Sequence, residues 1–217
     1  MQMRISTTSK TKSRVTALLG LGLWLWAGAF PAVAGAAAPA PATSAKALIE
    51  KTVVQVLAVL KDPSRTVAQQ RLALEEIAHA RFDFRTMARL VLGRDWKRLG
   101  AAERDEFVDQ FTTYLANDYG SRLERYEQEE VAVVGEQPKP RGDVEVKTKV
   151  VGGQNDGAIV DYRMRNGKDG WRIIDVVIEG ISLVANFRDQ FREVIARGGP
   201  EALLEKLKEK NAAAAEA

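Results

Sequence analysis

The spacing of apolar residues switches from helical to strand-like and back again, and this alternation limits the fold more than any other feature of the chain. From Thr43 to Tyr126 apolar residues return every three to four positions, the period of amphipathic helices. From Val131 to Glu179 they return every second position, as in strands with one apolar face. Helical spacing resumes at Ser182. Such a chain is α+β: helices, then an antiparallel sheet of about four strands, then helices.

Local signals divide these blocks. Ser44 is placed to cap a first helix carrying Leu48, Val53, Val56, Leu57 and Leu60, which stops ahead of Pro63. Ser64 is read as the cap of a second helix through Leu72, Leu74 and Ile77. Asp83 opens a short third helix with Met87, Leu90 and Val91 on one side, ended by Gly93. The fourth, after Gly100, carries Phe107, Phe111, Leu115, Tyr119 and Leu123 at four-residue spacing, with Tyr114 and Tyr126 beside them. In the strand block Val144, Val146, Thr148 and Val150 alternate with Glu145, Lys147 and Lys149, and Val160, Tyr162 and Met164 alternate with Asp161, Arg163 and Arg165. Trp171 to Ile178 is apolar on both faces, which predicts a central strand covered on both sides. Glu179-Gly180 then makes a sharp turn, Ser182 caps a helix with Leu183, Val184, Phe187 and Phe191, and Gly198-Gly199-Pro200 breaks it before a last helix over 201–210.

The ends of the chain read differently. Arg4, Lys10, Lys12 and Arg14 precede a 16-residue apolar run, Val15 to Phe30, and then Ala32-Val33-Ala34. Positive start, apolar run and small residues, in that order, predict a cleavable secretory signal over 1–34. The run is shorter than the ~20 residues of a membrane span. Residues 35–45 read as a flexible Ala/Pro leader, 46–210 as one domain and 211–217 as a flexible tail. Export to the periplasm and a monomeric, soluble product are therefore expected.

Removing that leader removes the basic character. Four of the 32 basic residues and none of the 29 acidic ones lie in 1–34, which leaves 28 against 29. A near-neutral domain has no general field for nucleic acid, whose binding needs a basic stripe. The chain has no cysteine and one histidine, His79, too few for a zinc site of three or four ligands. No G-x-S-x-G elbow or phosphate loop follows residue 34, so neither a catalytic residue nor a cofactor is expected. Asp175 interrupts an apolar strand and is predicted to pair with Arg163 or Arg172. The alternative is an enzyme in which Asp175 and Tyr162 meet inside a cavity with a raised carboxyl pKa. A third reading is an adaptor with no cargo.

The string Trp171-Arg172-Ile173-Ile174-Asp175-Val176-Val177-Ile178-Glu179-Gly180-Ile181-Ser182-Leu183-Val184-Ala185-Asn186-Phe187-Arg188-Asp189-Gln190-Phe191 closely resembles a block of the MlaC family. These are the toluene-tolerance, or ABC transporter auxiliary, proteins. Phe84 to Trp96 and the spaced Phe107, Phe111, Leu115 and Tyr119 resemble further blocks, in the family's order. The hopanoid-associated HpnM branch is similar too, and these residues do not separate the two.

The resemblance implies an NTF2-like fold with an apolar cavity between a curved sheet and helices. It implies a non-enzymatic periplasmic carrier of phospholipid, or of a hopanoid in the HpnM branch. The implied partners are an inner-membrane ABC transporter with an MCE-domain component and an outer-membrane lipoprotein complex. Its expected lipid-binding walls are Met87, Leu90, Phe107, Phe111, Leu115, Tyr119, Val160, Tyr162, Trp171, Ile173, Val184 and Phe187, with the fourth helix lying across the sheet. Spacing alone leaves the aromatic stripe as ordinary core.

Overall fold

Side-chain caps decide where the first helices begin. The computed structural model describes residues 44–123 and 129–216, so the signal segment, residues 35–43 and Tyr126 lie outside the described residues. Helix α1 (Ala45–Leu60) starts where the Ser44 hydroxyl accepts from the Ala47 amide at 3.1 Å. Ala45 is buried, so the domain begins before the expected leader ends at residue 45. Helix α2 (Val67–Arg81) is capped by Thr66 and not by Ser64. Thr66 and Gln69 satisfy each other's backbone amides in a capping box, while the Ser64 hydroxyl donates to Asp62 within the preceding turn. Asp83 caps α3 (Phe84–Leu92), and Gly93 ends it at φ 59°, a left-handed conformation suited to glycine. Helix α4 spans Ala101–Leu123.

The strand block forms β1 (Glu130–Pro138), β2 (Val144–Val151), β3 (Ile159–Gly167), β4 (Gly170–Ile178) and β5 (Ile181–Ser182), an antiparallel meander in sequence order. Among the described residues the count is five and not four. In β5, Ser182 pairs with Val177 and also caps α5 (Leu183–Ala215), so a strand hides inside a capping signal. Register places Tyr162 opposite Val146 and Val176, and Arg163 opposite Asp175. Neighbouring residues in a strand point to opposite faces. One face therefore carries Val146, Val160, Tyr162 and Val176, and the other Glu145, Lys147, Asp161, Arg163 and Asp175.

Helix α1 lies on the apolar face. Glu136, opposite Val146 in the register, accepts from the Lys46 amide at 3.1 Å. Helices α3 and α5 approach β4, and α4 packs on α5 and α3. Within α5 the backbone breaks at buried Gly199 (φ 79°) ahead of Pro200, where the sequence signals a stop. The tail expected from Asn211 is instead helical to Ala215. Asn211 is buried, and its side-chain amide donates to the Gln110 carbonyl at 2.9 Å. No helix among the described residues is long and apolar enough to cross a membrane.

Candidate functional site

The structure divides the expected wall residues into two groups. Phe107 and Phe111 have no accessible surface, and Met87, Leu115, Ile173, Val184 and Phe187 are buried with them. Apart from Ile173 on β4, all of them lie on helices. The Phe111 ring meets Phe187 edge-on at 5.6 Å and Phe191 at 6.3 Å, and Tyr114 lies 5.9 Å from Phe187. The aromatic stripe of α4 is therefore the α4–α5 core, and the expectation that it faces Val160, Tyr162 and Trp171 across the sheet is corrected. A regular stripe says that one helix face is buried but not what covers it. Of Tyr119 only the helical backbone is described.

The second group keeps accessible surface while packing against the core: Leu90 on α3, and Val160, Tyr162 and Trp171 on the sheet. Val133, Val144 and Ile178 on the sheet and Leu48 and Val53 on α1 share this condition, and sequence reasoning did not name them as candidates. Their apolar alternation was visible, but an alternating pattern does not separate a closed face from an open one. Tyr162 shows the character of this face best. Burial pushes its phenol up to about 12, yet part of its surface remains accessible. Its side chain is crowded by protein and is not sealed from solvent.

Helix α2 packs on α1 and touches β4. Helix α2 has no buried residue, and Val54, Val67 and Leu72 are exposed. Polar ties hold α2 in place. Arg81 donates to Thr52 (3.0 Å) and Gln55 (2.9 Å) on α1, and Arg71 donates to Asn117 on α4 (3.1 Å). The result is an apolar strip between the sheet and α1 whose side chains pack against the core and keep part of their surface accessible.

The charged face is built for stability. Asp143 is buried, and both Arg163 (2.6 Å) and Arg165 (2.6 Å) grip it. Burial pushes its carboxyl up, but the hydrogen bonds from Arg165 and Arg163 outweigh this and hold it below the usual carboxylate range. Asp175 pairs with neither expected arginine. It accepts from the Ser182 hydroxyl at 2.6 Å and the Val184 amide at 3.1 Å, at the start of α5. Arg163 is engaged by Asp143, and Arg172 donates to the Ala80 carbonyl. Tyr162 and Asp175 sit on opposite faces, so the two residues of the enzyme alternative do not meet. His79 is an exposed residue in the last turn of α2, edge-on to Phe84. Among the described residues no three or more histidines or carboxylates gather as a metal site.

A separate open groove of about 880 Å³ lies between α3 and α5, lined by Arg94, Arg98, Arg188 and Arg192 together with Asp95, Val91, Leu92 and Ile195. Its guanidinium groups suit acidic groups in water better than acyl chains.

The profile of the family described as MlaC protein matches residues 50–209. The toluene tolerance protein ttg2D of Pseudomonas putida is 29% identical over 99 residues, 45% of this chain, and the match spans 45% of that protein's length. The phospholipid-binding protein of Ralstonia solanacearum, solved in complex with a phospholipid, has a TM-score of 0.71 and 27% identity. That likeness covers 79% of this chain and 99% of the other.

Proposed function

The chain belongs to the MlaC family, and on that footing we propose that it carries a phospholipid through the periplasm on the apolar strip between sheet and α1. The observation that carries this reading is the pairing of Tyr162 and Val160, accessible within a crowded apolar face, with a fold matched by a protein solved around a phospholipid. The protein needs no cofactor in this role; the lipid is cargo.

The energetics fit a shuttle. A diacyl lipid has on the order of 30 methylenes, each worth about 0.8 kcal/mol against water. Crossing water bare therefore costs on the order of 20 kcal/mol. An apolar recess offers chains nearly the environment of a bilayer, so uptake and release both stay near balance. Cargo is taken from or given to an inner-membrane ABC transporter with an MCE-domain component and an outer-membrane lipoprotein complex, the partners implied by family membership.

The test is transfer of a labelled phosphatidylglycerol between two vesicle populations separated by a membrane that passes protein only. Transfer that rises with protein concentration supports the carrier. Transfer at the protein-free rate removes it, and binding to transporter subunits without transfer favours the adaptor.

A further inference from the structure

The Tyr162 hydroxyl is the one polar feature of this face that acyl chains leave unexplained. It has no hydrogen-bond partner among the described residues, whereas Thr148 on the same face donates to the Val160 carbonyl. Val146 and Val176 flank it on the neighbouring strands, both buried and apolar. With its pKa pushed up to about 12 by burial, the phenol keeps its proton and is a donor at every physiological pH. A donor desolvated by an apolar cargo is costly unless the cargo supplies an acceptor.

We propose that Tyr162 donates its hydroxyl to an ester carbonyl of the bound glycerolipid and so selects ester-linked cargo. This rests on the phospholipid-carrier reading above. Among the acceptors of a phospholipid, the phosphate is charged, strongly hydrated and expensive to bury. The ester carbonyls are neutral and sit where the chains join the glycerol, so they enter an apolar recess together with the chains. A polycyclic hydrocarbon skeleton brings no acceptor to that depth. Tyr162 thereby adds a chemical preference to a site that otherwise reads only length and bulk.

The experiment uses the full chain stripped of endogenous lipid, as the native protein and as Tyr162→Phe. Affinities are measured for dipalmitoyl phosphatidylglycerol and for its dihexadecyl ether analogue, which has the same head and chain length but no carbonyls. The native protein is expected to prefer the ester by roughly fivefold, the ordinary worth of one neutral hydrogen bond. Tyr162→Phe is expected to bind both lipids equally, at the native protein's affinity for the ether. The unchanged ether affinity shows that the variant is folded. Equal binding of both lipids by the native protein, or an ester preference that survives in Tyr162→Phe, overturns the proposal and leaves the carrier reading standing. Binding of neither lipid by the native protein overturns the carrier reading itself, and this proposal with it.

Discussion

The Asp175 carboxylate accepts from the Ser182 hydroxyl at 2.6 Å, and Ser182 in turn accepts from the Ala185 amide at 3.0 Å. With the Val184 amide also on Asp175, the end of the sheet and the start of α5 are joined through one acid. The position is structural. Asp175→Ala should lower unfolding stability by about 2–3 kcal/mol, leaving a buried amide and hydroxyl without their acceptor and a helix start without a negative charge. Asp175→Asn keeps one acceptor and should cost about 1 kcal/mol. Urea melts check both, and each variant should still bind lipid at a temperature where it is folded.

Asp143 sets a pH dependence with a defined sign. Its folded pKa is depressed by Arg165 and Arg163, so the stability it provides is present above the ordinary carboxylate value of 3.8. That stability is lost as pH falls through the lower, folded value. Asp143→Asn should cost about 3 kcal/mol at pH 7, since it leaves two partly buried arginines unpaired. The gap between native protein and variant should narrow below pH 4. Denaturant melts at pH 7 and pH 3 measure it.

Asp161 carries the opposite sign. Burial raises its pKa, repulsion from Glu145 adds to this, and its Oδ1 is buried with no partner. Ionised Asp161 therefore weakens the folded state at neutral pH, and the penalty is relieved as pH falls through its raised pKa. Asp161→Asn should raise stability at pH 7 by up to about 1 kcal/mol, with the gain vanishing near pH 4. Paired thermal melts at the two pH values check it.

Much of this fold is legible from the residues. Ser44, Asp83, Gly93 and Ser182 begin or end helices because caps act locally, within one turn of chain. Alternation in Val144 to Ile178 gives the strands and their faces for the same reason. What fails is long-range. The aromatic spacing of α4 marks a buried face but cannot name α5 as its partner, 76 residues on from Phe111 to Phe187. Charge suggests an arginine for Asp175, but the Val184 amide and the Ser182 hydroxyl occupy its oxygens. The tail from Asn211 looks featureless because alanines carry no pattern, and one buried amide anchors it. In the candidate site, Val160, Tyr162 and Trp171 could be found from alternation, whereas Leu48 and Val53 needed the placement of α1.

The core assignment of the stripe gives its own outcome. Phe111→Ala should cost about 3–5 kcal/mol by opening a cavity among Phe187, Phe191 and Phe107. The lipid bound per folded molecule should not change. Thermal melts and lipid extraction on one preparation separate the two effects.

Val160 offers the most direct test of where the cargo sits. It keeps accessible surface on the apolar face, opposite Thr148 and Ile178, so a larger side chain there meets the proposed cargo and not the α4–α5 core. The measurement is native mass spectrometry of Val160→Trp beside the native protein, both purified from a lipid-rich host. The account predicts a diacyl lipid retained by the native protein and largely missing from Val160→Trp, with melting temperatures within a few degrees of each other. Equal lipid occupancy in the two proteins would contradict the placement of cargo between the sheet and α1.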